Sequence, residues 1–224
     1  VETGEADAFI TGLYTKYSNT IKVVNEVIGI RDEYKHFGAM HIINSPKGTL
    51  YIADTLVNEN PDTDTLVDIA KLAATAVRFF NEKPVISLVS HSNFGSSQSD
   101  GAHKVKRAVE RMQELYPDMP IDGEMQLGFA LDRELRDEQY PFTKLKGLDV
   151  NTLVSPNLTS ARSSYKMLQM LGADAEIIGP IQMGLNKPIH FIDFGASVRD
   201  VLNIVAVAVI DAYVEKLKSH IKGA

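Results

Sequence analysis

The sequence predicts an α/β fold, in which helices cover the faces of a β-sheet. Two features support this prediction: short apolar runs rich in β-branched residues alternate with longer segments of helical period, and capping residues stand where the longer segments begin. The 224 residues are 44% hydrophobic and 23% charged, a composition typical of a folded globular protein and not of a disordered chain. The chain is therefore long enough and apolar enough to build a substantial core.

Eight short apolar segments are predicted as strands. The second and third are separated by Pro46, Lys47 and Gly48, which are typical turn residues, so these two segments are expected to pair as an antiparallel hairpin. The eight segments are residues 8–10, 39–44, 49–53, 85–89, 124–129, 152–155, 176–178 and 190–192.

Four longer segments are predicted as helices. In the first, Asp62 stands at the capping position, and Leu66, Ile69 and Ala73 recur at the spacing that gives a helix one apolar face. The four segments are residues 62–80, 101–116, 160–171 and 197–218.

Charge and composition exclude several classes of function. The net charge of −6 opposes binding to a nucleic-acid backbone, and the absence of cysteine excludes disulfides, thiolate nucleophiles and cysteine-ligated zinc. The longest purely apolar stretch, residues 204–210, is far shorter than the roughly 20 residues that span a bilayer, so no membrane partner is expected. Because residues 1–5 include neither an initiating Met nor a signal-peptide pattern, we expect a cytoplasmic chain that starts inside a longer protein.

The first candidate ligand site is the serine-rich loop after the strand at residues 85–89. Its hydroxyl groups, Gly95 and the basic residues of the following helix, Lys104 and Lys106 among them, could cradle an anion. A solvated loop that caps a helix would contain the same residues, and spacing alone favours that alternative. His91 has no second ligand at a metal-binding spacing, so no metal site is expected.

Two further junctions between a strand and a helix have the same character. Residues 152–160 lead into a helix on which Arg162 and Lys166 lie four residues apart, so both could reach one phosphate, although lone surface charges would look the same. Residues 179–188 combine two glycines and two prolines with polar residues, which indicates a backbone shaped around a ligand.

Four carboxylates are expected nearest a site, although the sequence gives neither their distances nor their environments. For Asp122, which stands before Gly123, the favoured alternative is a turn aspartate. The four are Asp122, Glu124, Asp193 and Asp200.

These junctions, taken in order, resemble the phosphate acetyl/butyryltransferase family over essentially the whole chain. The matching segments are residues 6–12, the Ser-x-Ser-x-x-Gly-Ser loop at 90–96, the Asp-Gly-Glu-x-Gln segment at 122–126, Ser-Pro-Asn-Leu at 155–158 with Tyr-Lys at 165–166, Ile-Gly-Pro at 178–180 and Gly-Leu-Asn-Lys-Pro at 184–188.

The resemblance implies a phosphate acetyltransferase-like fold of two α/β domains that flank a cleft for coenzyme A, with subunits that pair as dimers. It assigns residues 1–28 and 181–224 to the first domain, which would be incomplete at its N-terminus, and residues 29–180 to the second.

The chain departs from the family where active members carry Asp-x-Ser-Arg-Gly. Asp193 stands at the serine position and Phe194 at the arginine position, while a later family aspartate is kept as Asp200. A further family arginine is Lys22 here. Since an aromatic ring cannot hold a phosphoryl group and a carboxylate repels one, the resemblance implies a site without phosphate transfer.

These departures resemble the branch of the family found as the C-terminal domain of hybrid, NADP-dependent malic enzymes. That resemblance implies a regulatory domain that binds acetyl-CoA as an inhibitor, forms a homodimer within a larger homo-oligomer, and leaves NADP and a divalent metal to a separate catalytic part. No catalytic residue is expected in this chain. The residues expected near acetyl-CoA are Ser92, Asn93, Lys166, Asn186, Lys187, Asp193 and Asp200.

Two alternatives remain open at this point. One is an active phosphate acetyl/butyryltransferase that works without the Ser-Arg pair. The other is a purely structural dimerisation module, for which acetyl-CoA would not raise the thermal midpoint.

Overall fold

The fold is that of a computed structural model, which describes residues 1–12, 16–172 and 174–222, with the side chains of the last helix described as far as residue 217. The chain forms two compact units. We call Gly38–Ile177 the larger unit, and Val1–Phe37 with Ile178–Ala224 the smaller unit.

Strands and helices alternate along the described chain, as expected for an α/β protein. The strands are β1 (Phe9–Gly12), β2 (Gly38–Ser45), β3 (Gly48–Ala53), β4 (Ile86–Val89), β5 (Ile121–Met125), β6 (Thr152–Val154), β7 (Glu176–Met183) and β8 (Ile189–Ile192). The helices are α1 (Tyr17–Val27), α2 (Thr63–Phe79), α3 (Asp100–Leu115), α4 (Leu127–Leu131), α5 (Arg133–Gln139), α6 (Leu158–Leu171) and α7 (Val198–Lys222).

The larger unit is built on a mixed sheet. The five strands that lie wholly within this unit occupy consecutive places in the order β5-β4-β6-β3-β2. β3, β6, β4 and β5 run parallel to one another, and β2 pairs antiparallel with β3. The β2–β3 hairpin closes where Ser45 pairs with Gly48, so the predicted antiparallel hairpin is confirmed.

Different helices cover the two faces of this sheet. Ile52 and Leu153 point to one face, where they form a buried cluster with Tyr165 of α6. Tyr51 precedes Ile52 in β3 and therefore points to the other face, where its ring centre lies 6.1 Å from that of Phe80 at the end of α2. Since α3 packs against α2, α2 and α3 cover one face and α6 covers the other.

Local sequence explains why α2 forms where it does. The Asp62 side chain accepts from the backbone N–H of Thr65 at 2.8 Å, which caps the first turn. Asp64 in the first turn and Arg78 in the last turn oppose the charges of the helix dipole. The face that includes Leu66 is buried, as the apolar spacing predicts.

The smaller unit contains a two-stranded parallel sheet, in which Phe9 of β1 is opposite Ile189 of β8. α7 packs against both strands. A small cluster of buried residues, including Ile21, Leu185 and Phe191, forms its core, and the Tyr17 ring meets the Phe191 ring edge-on at 4.6 Å.

Three parts of the expected secondary structure were wrong. The strand expected at residues 124–129 lies instead at Ile121–Met125, and Leu127–Leu131 is helical. α1 and α5 were not expected; α1 buries Ile21 and Val24, whereas the buried residue of α5 is the charged Arg136. None of the helices in the described part of the chain has the length and hydropathy that a membrane span requires.

Candidate functional site

The candidate site of the larger unit lies at the carboxyl ends of its parallel strands. β4 and β6 are neighbours, but β4 is followed by α3 on one face of the sheet and β6 by α6 on the other. Open α/β sheets bind ligands at such a switch point, because the two loops diverge and leave a crevice. Residues 90–99, which we call the serine loop, follow β4, and residues 155–157 follow β6, so both segments lie at this switch point.

Glu124 supports the serine loop through hydrogen bonds to its carboxylate. Its Oε1 accepts from the Ser92 hydroxyl and from the Gly95 N–H, each at 2.7 Å. Ser92 is fully buried, and its oxygen in turn accepts from the Ser97 N–H at 3.0 Å. In this arrangement the Ser92 hydroxyl supports the loop and is not presented at its surface.

A bulge in the sheet directs Glu124 toward the serine loop. The register between β4 and β5 shifts at Leu88 and Val89, which inserts Glu124 between two paired residues. Gly123 is required just before it, because its φ is +140° and a Cβ there would lie 2.5 Å from the Leu88 carbonyl oxygen. Glu124 is 1% exposed, and its Oε2 has no hydrogen-bond partner among the described residues.

The serine loop is also tied to the residue after β5. The Gln126 N–H donates to Asn93 Oδ1 at 2.8 Å, and Gln126 Nε2 donates to the His91 carbonyl oxygen at 3.0 Å. The Asn93 oxygen is therefore occupied within the protein. His91 Nε2 lies 3.2 Å from the Ser97 hydroxyl in the same exposed network.

Asp122 has a structural environment. It lies within β5 and not in a turn, and it is buried. Its Oδ2 accepts from the Thr143 hydroxyl at 2.7 Å and from the Lys144 N–H at 2.8 Å. The turn interpretation of Asp122 was therefore wrong, and its contacts instead hold the segment before β6 against β5.

Asp54 organises the loop after β3, and sequence reasoning missed it. Its carboxylate accepts from the backbone N–H groups of Ala39, Leu56, Val57 and Asn58 and from the Asn58 side chain, at 2.7–3.2 Å. Burial raises the pKa of Asp54, and the hydrogen bonds oppose that shift. The signal in the sequence was an aspartate directly after a buried strand.

Lys104 of α3 contacts the loops that follow β3 and β6. Its Nζ donates to Asn60 Oδ1 at 3.0 Å and to the Pro156 carbonyl oxygen at 3.2 Å, so it joins the loops after β3 and β6. Burial lowers the pKa of Lys104, and the charge of Asp62 opposes that shift.

The two basic residues of α6 are exposed. Lys166 Nζ donates to Gln169 Oε1 at 2.9 Å and lies 5.2 Å from the centre of the Tyr165 ring. Beneath it, the His41 ring stacks on Tyr165 at 4.0 Å, and His41 Nδ1 lies 2.8 Å from the Thr55 hydroxyl. Burial lowers the pKa of His41 to about 3, and the charges of Lys166 and Arg162 add to that shift.

The smaller unit carries the other expected site residues. Asn186 Nδ2 donates to the Ile28 carbonyl oxygen at 3.0 Å, and Lys187 beside it is half-buried. Arg31 supports this segment: its Nε donates to the Leu185 carbonyl oxygen at 2.9 Å, and its Nη2 pairs with Glu215 at 2.6 Å. The segment at residues 184–188 is thus held by hydrogen bonds from side chains to backbone carbonyl oxygens.

The loop between β8 and α7 contains the departures from the family pattern. Phe194 is 88% exposed, and Asp193 beside it is half-buried. Asp200 accepts from both the N–H and the hydroxyl of Ser197 at 2.8 Å, and the Asp200 N–H donates back to that hydroxyl. This reciprocal pair is a capping box, so Asp200 fixes the start of α7.

The described residues contain no group of three or more histidines and carboxylates that could hold a metal ion. The structure brings Ser92 and Asn93 together in one loop, and it places Asp193 and Asp200 in another.

Comparison with known proteins gives two kinds of relative. The chain is 44% identical over 212 residues to the NADP-dependent malic enzyme of Salmonella typhimurium, covering 95% of this chain and 28% of that protein. It is 42% identical over 217 residues to the corresponding enzyme of Escherichia coli, covering 97% and 28%. The chain therefore spans little more than a quarter of the length of these curated relatives.

The solved structure of a phosphotransacetylase from Streptococcus pyogenes has the same fold. It aligns with a TM-score of 0.86 at 30% identity, covering 95% of this chain and 64% of that chain. The expected phosphate acetyltransferase-like α/β fold is thereby confirmed, as is the relationship to malic enzymes. The model of the family described as Phosphate acetyl/butaryl transferase matches residues 1–209, so the chain belongs to that family.

Proposed function

We propose that this chain is a regulatory domain of an NADP-dependent malic enzyme, which binds acetyl-CoA and does not transfer acyl groups to phosphate. The malic enzyme would oxidise and decarboxylate malate to pyruvate with NADP and a divalent metal, both bound outside this chain. Its relatives of 44% and 42% identity, which bear that name, support the assignment.

The proposed loss of transferase activity rests on two residues, Asp193 and Phe194. In the family pattern these positions hold a serine and an arginine that serve the acyl phosphate. A guanidinium binds a phosphate through two parallel hydrogen bonds, whereas a benzyl group offers none and a carboxylate repels the anion. The exposure of Phe194 supports the proposal further, since the ring packs against little of the protein.

The loops of the larger unit support binding of a coenzyme A ester. The switch point between β4 and β6 is the expected position for a nucleotide-like ligand, and the basic residues Lys104, Arg162 and Lys166 lie on the two helices that follow those strands. We include Ser92 and Asn93 in this proposed binding site. Ser92 would act indirectly, by supporting the serine loop.

We also propose a role in ligand binding for four residues of the smaller unit: Asn186, Lys187, Asp193 and Asp200. We also propose the expected domain division, residues 1–28 with 181–224 and residues 29–180; the compact units differ from it by placing residues 29–37 and 178–180 in the smaller unit. We further propose a cytoplasmic homodimer within a larger oligomer.

Inhibition requires that acetyl-CoA bind one state of the full-length enzyme better than another. The test is to follow malate-dependent NADPH formation by the full-length enzyme during an acetyl-CoA titration. We expect saturable inhibition, with free CoA weaker than its acetyl ester. Unchanged activity at saturating acetyl-CoA would overturn the regulatory assignment.

The enzyme alternative predicts a different result from the isolated chain. An active transferase would form acetyl-CoA rapidly from acetyl phosphate and CoA. We expect the chain to form no acetyl-CoA above the uncatalysed rate. The matched control is the Asp193→Ser/Phe194→Arg double variant, which we expect to regain affinity for phosphate.

A further inference from the structure

β1 and α7 of the smaller unit border an open groove of about 520 Å³, which we call the β1–α7 groove. Its two charged lining residues, Asp7 and Lys216, pair with each other at 2.8 Å. The rest of the described lining is apolar except for one hydroxyl group, and it includes Ala8, Ile10, Val205, Val209, Ala212 and Tyr213. The groove therefore offers apolar contacts and no unpaired charge.

The solvent-facing side of α7 is apolar over residues 202–213. Val209 and Tyr213 are each 63% exposed on this side, although the opposite side of the helix already packs on β1 and β8. Asp211 is the one charged residue in this stretch, and its Oδ2 lies 3.4 Å from Nε2 of His190, which is buried. A helix that is apolar on both sides is normally covered on both sides.

β1 has a free backbone edge beside the same groove. Among the described strands its one neighbour is β8, where the Phe9 N–H donates to the Pro188 carbonyl oxygen at 2.9 Å. Backbone groups of successive strand residues point to alternate sides, so the N–H and C=O of Ile10 point away from β8. Since Ile10 also lines the groove, a strand that paired with this edge would direct side chains into the groove.

We propose that the β1–α7 groove binds an apolar, uncharged β-strand, which pairs with the free edge of β1 and belongs to the part of the full-length enzyme outside this chain. This inference rests on the proposed function, which supplies that part. The malic enzymes similar to this chain have room for such a strand, since this chain matches 28% of their length. Addition of a strand to an exposed sheet edge is a common mode of recognition.

A strand satisfies both features of the groove at once. Its backbone would pair with the hydrogen-bonding groups of the β1 edge, and every second side chain would lie against Val209 and Tyr213. A second copy that packed its α7 against this α7 would cover the helix but leave the β1 edge unpaired. A charged partner would lose hydration without gaining an opposite charge, because Asp7 and Lys216 already pair.

α7 connects the groove to the loop that contains Asp193 and Phe194. The capping contacts of Ser197 and Asp200 fix the start of the helix, which continues without a break past Val209. A helix shifts as a rigid element, so a ligand that moves the first turn of α7 would also move the side chains that hold the docked strand. We therefore expect the groove to contribute to inhibition by acetyl-CoA.

The first test compares two neighbouring residues of α7 in the full-length enzyme. Val209 lines the groove, whereas Ile210 is 49% exposed on the same helix and does not line it. Val209→Asp places a charge against the docked strand, and we expect it to raise the acetyl-CoA concentration for half-maximal inhibition of NADPH formation about tenfold. Ile210→Asp is the matched control and should leave that concentration unchanged. Equal effects of the two substitutions on this concentration would overturn the inference.

Hydrogen exchange tests the pairing itself and needs no inhibition. In the full-length enzyme we expect the Ile10 amide to exchange about tenfold faster in Val209→Asp than in Ile210→Asp, because undocking exposes it to water. The Phe9 amide, which is bonded to Pro188, should exchange equally in the two variants and shows that β1 still pairs with β8. Ile10 exchange that is the same in both variants would contradict a docked strand.

These measurements separate the inference from the proposed function. If acetyl-CoA does not inhibit but Ile10 exchange responds to Val209→Asp as expected, the docked strand stands and the regulatory function fails. If acetyl-CoA inhibits and neither inhibition nor Ile10 exchange distinguishes the two variants, the regulatory function stands and the docked strand fails. Sedimentation of this chain alone provides a third outcome, since a dimer that Val209→Asp dissociates and Ile210→Asp does not would assign the groove to a second copy and overturn the inference.

Discussion

The larger unit surrounds several buried charged side chains with hydrogen-bond partners, whereas α7 of the smaller unit exposes a row of apolar side chains. In the larger unit, Arg136 is fully buried and donates to three backbone carbonyl oxygens. In the smaller unit, α7 exposes Leu202, Val209 and Tyr213, each 63% accessible, beside a groove of about 520 Å³ between β1 and α7.

This contrast explains where sequence change can be tolerated. The loops at the sheet edge of the larger unit depend on buried donors and acceptors, so altering one of them leaves others unsatisfied. The loop that contains Phe194 is exposed, and its capping box depends on Ser197 and Asp200 alone. Phosphate chemistry could therefore be lost in the smaller unit without disturbing the fold.

The largest effect is expected from Arg136→Ala in the larger unit. The substitution strands the carbonyl oxygens of Ala130, Leu145 and Leu148. We expect the free energy of unfolding to fall by about 3–5 kcal/mol, measured by urea denaturation. The control is Arg133→Ala, which removes an exposed pair with Asp149 and should cost less than about 1 kcal/mol. Equal losses in the two variants would break the contrast between buried and exposed charges.

The second effect depends on pH and on His41. The folded state keeps His41 neutral because its pKa is lowered to about 3, whereas the unfolded state takes up a proton near the ordinary value of 6.5. Stability from this residue is therefore complete above pH 6.5 and falls toward pH 3, by about 1.4 kcal/mol for each pH unit. His41→Gln should therefore lose less stability than the unchanged protein between pH 7 and pH 5, measured by urea denaturation at each pH. Equal losses in the two proteins would contradict a neutral, buried His41 ring.

A smaller effect is expected at Glu124, which supports the serine loop. Glu124→Ala leaves the Ser92 hydroxyl and the Gly95 N–H without their acceptor, at a cost of about 1–3 kcal/mol. Glu124→Gln keeps an acceptor oxygen and should recover most of that loss. Calorimetric titration with acetyl-CoA should show weaker binding by Glu124→Ala than by Glu124→Gln, and equal affinities would show that the loop does not shape the site.

The smallest effects are expected in the loop before α7. Asp200→Ala removes the capping partner of Ser197 and should lower the free energy of unfolding by about 1 kcal/mol. Phe194→Ala should change it by less than about 0.5 kcal/mol, because the ring is exposed. A larger loss for Phe194→Ala than for Asp200→Ala would mean that the ring packs against the protein in solution.

The sequence predicted elements whose signals are local. The hairpin of β2 and β3 followed from its turn residues, and α2 followed from its cap and its apolar spacing. α5 could not be predicted in this way, because its one buried residue is Arg136, whose partners lie elsewhere in the chain.

Prediction of the candidate site from the sequence is limited in the same way. The serine loop was identified from its composition, but the bond between Ser92 and Glu124 joins residues 32 positions apart, and it depends on a bulge that no local pattern reveals. The contacts of Lys104 with Asn60 and Pro156 likewise join helix α3 to two separate loops. Distances of this kind follow only from the topology of the sheet.

We propose above that this chain binds an acyl-CoA but has lost its site for the acyl phosphate. The most direct test is to measure the thermal midpoint of the purified chain with acetyl-CoA and, separately, with acetyl phosphate. A ligand that binds only the folded state raises the midpoint with its concentration. We expect the thermal midpoint to rise with acetyl-CoA and not with acetyl phosphate. A rise with acetyl phosphate and none with acetyl-CoA would refute the proposed function.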